Sequence, residues 1–309
     1  MPLLIEGHEL TITPSLGISV YPDDGRDAET LIRNADAAMY HAKEMGRGNY
    51  QFFTEQMNQA AGRRIALEAD LRRAQQKDEM QVYYQPVAEI GTRRAVSREA
   101  LLRWAHPVRG LVTPGDFLAI AEETGLILRI GERVLQSACA WTMSVEPARR
   151  LPVSINLSTR QFNDPRLLEL IGRVLKETGL PPGLLGFEIK ESTLMHQTGH
   201  TLATLRKLKD LGVTLSVDEF GIGQSSLTFL RRFALDGLKI DRTFLAEVPG
   251  SADDCAVVAA IVGLAHNMKL KVVAGGVERD EQLAFLAECG CDLAQGYLLG
   301  EPRDSASAP

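Results

Sequence analysis

From Val82 onward, short apolar runs and helical stretches alternate almost to the C-terminus, and this alternation constrains the fold more than any other feature of the chain. Runs with the length and composition of buried strands fall at 82–86, 94–101, 151–157, 185–189, 213–218, 237–240, 271–274 and 292–294. Helical periodicity is clearest at 114–122, 128–143, 165–178, 198–210, 254–268 and 280–288. Eight strands over roughly 220 residues, mostly separated by helices, predict an α/β protein built on a TIM-like (β/α)8 barrel. A doubly wound open sheet is the other architecture this order allows. Against it, the turn Ala88-Glu89-Ile90-Gly91 after the first strand holds one glycine and no dinucleotide fingerprint.

The N-terminal segment is organised differently. Thr11–Val20 is β-rich, Tyr21-Pro22-Asp23-Asp24-Gly25 reads as a turn, and a helix follows from Ala28 with Leu31, Ile32, Ala35, Met39 and Ala42 along one side. Two or three elements cannot bury a core of their own. Residues 1–57 are therefore expected to be a partial domain that leans on its neighbour or lacks its preceding part. Residues 58–79 read as a charged helix carrying Ile65, Leu67, Leu71 and Ala74 along one side, a linker or a dimerisation stalk. The barrel is expected over 80–303, with a short disordered tail over 304–309.

Composition excludes several function classes. A formal charge of −6 argues against a protein held to DNA by a broad basic surface. Four cysteines (Cys139, Cys255, Cys289, Cys291) are too few for a disulfide scaffold, and the six histidines have no zinc-site spacing. The sequence has neither a long apolar span nor a basic-then-apolar leader, so a cytoplasmic protein without a membrane segment in this stretch is expected.

Barrel enzymes place their chemistry at the C-terminal ends of the strands. Those ends carry Glu99, Asn156, Glu188, Asp218 followed by Glu219, Lys239 and Gln295. Glu99 and Glu188 interrupt apolar runs, where a carboxylate must be paired or metal-bound to offset its desolvation. Structural ion pairing and a metal or phosphate site both satisfy that requirement. The ligand set is hard, carboxylates and an amide without His or Cys, and suits Mg²⁺ or Mn²⁺ better than zinc. Acids, metal and a lysine together are a usual arrangement for phosphodiester hydrolysis. Arg103, four residues beyond Glu99, offers a bidentate grip on phosphate or is a surface arginine. The run Asp218-Glu219-Phe220-Gly221-Ile222-Gly223-Gln224-Ser225-Ser226-Leu227 reads as a strand end leading into a mobile loop, which could carry a ligand change to a protein partner over 219–227. Glu191 either pins this loop or is a first-turn carboxylate of the next helix.

These blocks carry a family resemblance. Glu99-Ala100-Leu101-Leu102-Arg103-Trp104, Asn156-Leu157-Ser158, Glu188-Ile189-Lys190-Glu191, Asp218-Glu219-Phe220-Gly221, Leu238-Lys239-Ile240-Asp241-Arg242, Gly276-Val277-Glu278 and Gln295-Gly296-Tyr297 occur in the order found in EAL domains. Residues 80–303 thus resemble the cyclic di-GMP phosphodiesterase family. Residues 1–53 resemble the C-terminal part of a GGDEF (diguanylate cyclase) domain, through Asn34-Ala35-Asp36-Ala37-Ala38-Met39-Tyr40-His41-Ala42-Lys43. The glycines and acids that bind GTP and metal in that family are absent here, so no cyclase activity is expected.

The resemblance implies roles for individual residues. Glu99, Asn156, Glu188 and Asp218 would bind a first Mg²⁺ or Mn²⁺, and Glu219 would join Asp218 at a second. Lys239 would orient the attacking water, Arg103 would touch phosphate, Gln295 would line the pocket, Glu191 would anchor the loop and Glu278 would support the site from the seventh strand. The ligand would be cyclic di-GMP, opened to linear pGpG, and such domains often form homodimers. Three departures stand out. Glu219 replaces a second aspartate, Ile222 and Gln224 replace the usual Thr and Tyr, and Gly275 stands where the family has a glutamate that assists the nucleophile. Loss of general acid–base help alone costs roughly 10²–10⁴ in rate. The expectation is a cyclic di-GMP-binding protein with impaired or lost hydrolysis. An active metal-dependent phosphodiesterase is the alternative, and a purely structural module the third reading.

Overall fold

The computed structural model describes residues 3–5, 8–10, 13–46, 48–195, 199–222 and 232–308, which belong to two compact units, residues 1–73 and 74–309. In the first, β1 (Leu3–Ile5) and β2 (His8–Leu10) pair antiparallel, while β3 (Leu16–Ile18) and β4 (Tyr50–Phe52) pair parallel. A parallel pair needs a crossover, supplied here by the helix Ala28–Glu44. Asp27 caps that helix by accepting the Thr30 N–H at 2.8 Å. Helix and strand lie so close that a β-carbon on Gly17 would fall 1.9 Å from the Ala35 carbonyl oxygen, so only glycine fits. One helix covers one face of two strands, and Leu16, Tyr50 and Phe52 remain exposed. The helix Glu55–Ala74 occupies most of the segment expected as a charged helix.

In the second unit the strands are β5 (Met80–Glu89), β6 (Ala95–His106), β7 (Gly110–Val112), β8 (Val153–Leu157), β9 (Leu185–Lys190), β10 (Thr214–Phe220), β11 (Gly237–Ile240), β12 (Lys271–Gly275), β13 (Leu293–Gln295) and β14 (Arg303–Asp304). Eight of them close a ring in the order β5-β13-β12-β11-β10-β9-β8-β6, with β6 pairing back to β5. Each of the eight apolar runs supplies one strand of that ring. The ring is mixed rather than all-parallel, because β5 runs antiparallel to both β6 and β13. The cause is local. Only residues 90–94 separate β5 from β6, too few for a helical crossover, so the two strands must form a hairpin.

The helices Pro114–Thr124, Leu126–Ser144, Leu167–Thr178, Gly199–Asp210, Ala252–Asn267 and Asp280–Glu288 accompany the ring. Ile127, Ile130, Val134, Leu135 and Ala138 of the second helix are buried at helical spacing. Gly125, with φ of +79°, ends the first helix and begins the second. Residues 304–308, expected as a disordered tail, are ordered. Asp304 pairs with Tyr83 through β14, and the Trp141 Nε1–H donates to the Ser305 carbonyl at 3.0 Å.

Strand alternation decides what enters the ring. Neighbouring strands place register partners on the same face, and the pairs Gln85↔Glu99, Glu99↔Ser154, Asn156↔Glu188, Glu188↔Ser216 and Gly275↔Gln295 therefore share one face. The alternate residues Val153, Ile155, Leu157, Phe187, Ile189, Val217, Leu238 and Ile240 are buried apolar core.

Candidate functional site

Lys239 joins the two acids that interrupt apolar runs. Its Nζ donates to Glu99 Oε2 at 2.6 Å and to Glu188 Oε2 at 2.7 Å, and all three residues are at most 9% exposed. The remaining carboxylate oxygens are used as well. Asn156 Nδ2 donates to Glu99 Oε1, and Ser154 Oγ donates to Glu188 Oε1. Gln295 Nε2 donates to Glu99 Oε2 at 2.6 Å and to Gln85 Oε1 at 3.1 Å, while Gln85 Nε2 donates to the Gly300 carbonyl. Gln85 and Ser154 are the members that sequence reading missed. Each is a single polar residue in a strand, and the inward phase of β5 and β8 was the signal that could have found it.

A cavity of about 480 Å³ opens over this cluster, with Gln85, Glu99, Arg103, Asp218, Glu219, Lys239, Gly275, Glu278, Gln295 and Tyr297 in its wall. Arg103 lies four residues beyond Glu99 on the same face of β6, about 13 Å along the strand. It is half-buried, with Nη1 on the Leu102 carbonyl at 2.8 Å and its guanidinium over the Tyr83 ring at 5.9 Å. The site thus has an acidic floor partly neutralised by one lysine and a wall with an arginine. Gln295 Oε1 is buried without a hydrogen-bond partner, an acceptor left open among otherwise satisfied groups.

The remaining candidates stand nearby. Glu219 has a left-handed backbone, φ of +55°, at an irregularity in the pairing of β10 with β11. Its N–H donates to Asp218 Oδ1 at 2.8 Å, and its carboxylate pairs with Lys190 at 2.6 Å. Glu191 opens the short helix Glu191–Met195, and its Oε2 accepts the Gly221 N–H at 3.0 Å. Glu278 lies in the loop after β12 rather than on the seventh strand itself, with an exposed side chain. Ile222 is exposed. Gln224 and the rest of 223–227 lie outside the described residues.

Burial alone would raise the Glu99 carboxyl, but the Lys239 ammonium and hydrogen bonds from Lys239, Gln295 and Asn156 bring it below the ordinary carboxylate value. Glu188 goes the other way. Burial first, and then the charges of Glu99 and Asp218, push it up to about 7 against the pull of Lys239. Asp218 is raised by burial and by Glu99. Burial disfavours the Lys239 charge, yet the three surrounding carboxylates hold it well above its usual range. One ammonium among three acids leaves a net negative floor that a cation would relieve.

The donor chemistry, three carboxylates and a side-chain amide, fits a hard divalent ion. Among the described residues, however, no three acids, cysteines or histidines are arranged as a ready ligand cage. Lys239 Nζ stands between Glu99 and Glu188 instead. At Gly275 the wall carries no side chain. A β-carbon there would meet the Ile240 carbonyl oxygen at 3.2 Å and Lys239 Cε at 3.8 Å, whereas the left-handed glycine is its neighbour Gly276, with φ of +80°.

Comparison with known proteins agrees with the geometry. The model of the EAL domain matches residues 68–302, and that of the diguanylate cyclase GGDEF domain matches residues 1–49. The cyclic di-GMP phosphodiesterase NbdA of Pseudomonas aeruginosa is 39% identical over 308 residues, covering 99% of this chain and 39% of that protein. The bifunctional diguanylate cyclase/cyclic di-GMP phosphodiesterase MucR of the same organism is 43% identical over 305 residues, covering 97% of this chain and 44% of its own length. The chain therefore spans less than half the length of these curated relatives. Among solved structures, the PaMucR phosphodiesterase in complex with c-di-GMP superposes with a TM-score of 0.75 at 41% identity, over 78% of this chain and 98% of that one. The FimX EAL domain from Pseudomonas aeruginosa bound to c-di-GMP gives 0.71 at 25% identity, over 77% and 96%. No helix among the described residues is long and apolar enough to cross a membrane. An eight-stranded ring with one antiparallel member, the ordered motif blocks gathered at one mouth and a family model covering most of the length lead to one conclusion: the chain belongs to the EAL domain family.

Proposed function

We propose that this chain is a cyclic di-GMP-binding signalling module whose phosphodiesterase activity is impaired or lost. The observation that carries the reading is the composition of one cavity wall, in which Glu99, Asp218, Lys239, Gln295 and Arg103 meet while Gly275 contributes no carboxylate. MucR and FimX, both solved with c-di-GMP, support the choice of ligand.

Hydrolysis would add one water across a P–O3′ bond, with the water's oxygen joining phosphorus and a proton leaving with the ribose oxygen to give pGpG. Arg103 is placed to hold a phosphate by its two-pronged guanidinium. Lys239 donates to Glu99 and Glu188, offsets part of their charge, and offers a donor to an attacking water. The orphan Gln295 Oε1 is free to accept a hydrogen bond from ligand or water. A Mg²⁺ or Mn²⁺ held by Glu99, Asn156, Glu188 and Asp218 would supply polarisation of a phosphoryl oxygen. Nothing at Gly275 can take the proton of the water, which is why slow turnover or none is expected.

Calorimetric titration with cyclic di-GMP in Ca²⁺, beside chromatography of pGpG after incubation with Mg²⁺ or Mn²⁺, tests both halves. Saturable binding with little product is the expected result. Turnover on the order of 1 s⁻¹ or faster would establish an ordinary enzyme, and absence of binding would leave only a structural module.

A further inference from the structure

β9 ends at Lys190, whose register partner on β10 is Asp218. One residue on, the pairing of β10 with β11 is irregular and Glu219 adopts a left-handed backbone that few residues other than glycine enter. That bend turns the Glu219 carboxylate to Lys190, with Nζ 2.6 Å from Oε1. The same bend ties Asp218 Oδ1 to the Glu219 N–H at 2.8 Å. Both residues that the EAL resemblance assigns to a second metal are therefore engaged, one by a backbone donor and the other by an ammonium. Lys190 is also close enough to Glu122 that its charge opposes, in part, the rise that burial gives the Glu122 carboxyl. It thus places a positive charge among acidic groups at the mouth, where a second divalent ion would otherwise be attracted.

We infer that the Lys190 ammonium is the resident cation of the Asp218–Glu219 carboxylate pair, so that this mouth takes up one fewer divalent ion than its acids alone would hold. The inference rests on the proposed function only in taking Glu99, Asn156 and Glu188 as the neighbouring cation site. It assigns Lys190 a role in setting metal number, and it explains how a longer acid is accommodated at 219. The glutamate reaches outward to a lysine instead of inward beside Asp218. An exposed ion pair holds its partners weakly by itself. The stronger effect is the repulsion between the ammonium and an incoming divalent ion, which acts even when the pair opens.

The test counts bound Mn²⁺ from the paramagnetic resonance of the free ion, on the whole chain, for the wild type, Lys190→Gln and Lys190→Arg. Circular dichroism verifies that each variant is folded. Lys190→Gln removes the charge from an exposed strand end, and it is expected to bind one more Mn²⁺ per chain than the wild type. Lys190→Arg, which keeps the charge, is expected to match the wild type. Equal counts for Lys190→Gln and wild type would overturn the inference, as would a gain in Lys190→Arg equal to that in Lys190→Gln. A wild type that binds no Mn²⁺ beside a glutamine variant that binds one would sustain the role of Lys190 while removing the neighbouring site.

Discussion

Lys239 Nζ and Glu99 Oε2 lie 2.6 Å apart inside the ring, the lysine side chain 11% and the glutamate 6% exposed. Removing one partner of a buried ion pair leaves the other charge uncompensated and costs about 3–5 kcal/mol. Lys239→Met leaves two such carboxylates, Glu99 and Glu188. We expect it to lower stability by about that amount at pH 8 in chelator, and by less at pH 6, where an uncompensated carboxyl takes up a proton. Urea unfolding at the two pH values measures the difference. An equal loss at both would show that packing of the lysine stem, not its charge, is what matters.

Glu188 gives the wild type its own pH signature. Its folded pKa of about 7 lies above the ordinary carboxylate value of 4.5, so protonation favours the folded state. This contribution is fully present below about 4.5 and is lost as pH rises through 7. Asp218, also raised, acts in the same direction, while Glu99, lowered, loses its contribution only at more acid pH. In chelator, stability attributable to Glu188 should thus increase as pH falls from 8 to 5. The difference between wild type and Glu188→Gln, followed by thermal unfolding across that range, isolates it. A difference that stays flat with pH would place the Glu188 titration outside this window.

Arg103→Ala removes one guanidinium from the cavity wall while leaving the acids in place. A charge-assisted hydrogen bond is worth about 1.5–3 kcal/mol, which corresponds to a loss of roughly 10–150-fold in affinity for cyclic di-GMP. Calorimetric titration reads it directly. Unchanged affinity would mean that the Arg103 bond to the Leu102 carbonyl and its place over Tyr83 are its whole role.

The parts of this molecule that were legible in the sequence are those fixed by local pattern. Eight apolar runs gave eight ring strands because buried strands have few polar exceptions, and those exceptions, Glu99, Glu188 and Lys239, met at one mouth. The direction of β5 was not read from apolar pattern, because that pattern is blind to strand polarity. The brevity of residues 90–94 carried the information instead. Gln85 and Ser154 escaped for the opposite reason. A neutral polar residue in a strand is common, and only the register that sets Gln85 and Ser154 on either side of Glu99 gives it meaning. The left-handed angle in this stretch belongs to Gly276 and not to Gly275, and a β-carbon on Gly276 would fall 2.4 Å from Arg242 Cβ.

That placement makes Gly275→Glu a clean test of whether the missing carboxylate limits hydrolysis. Gly275 is in β12 with no left-handed backbone to strain, and the nearest obstacle to a β-carbon is the Ile240 carbonyl oxygen at 3.2 Å, a few tenths of an ångström too close. Its register partner is Gln295, which donates to Glu99, so a side chain at 275 enters the same face as the site acids. A strand interior also favours a residue with a β-carbon over glycine by about 0.5–1 kcal/mol. Opposing this, a fourth carboxylate adds repulsion to the acidic floor. In chelator the variant should therefore be no more stable than wild type, and Mn²⁺ should raise its melting temperature more than it raises that of the wild type. With Mg²⁺ or Mn²⁺ present, production of pGpG should increase by roughly 10²–10⁴, the range general acid–base help supplies. Glu219→Asp added to it should increase the rate further, since a misplacement of about 1 Å can cost roughly 100-fold. A folded double variant that gains Mn²⁺ stabilisation but makes no more pGpG than wild type would show that the missing carboxylate is not what limits this site.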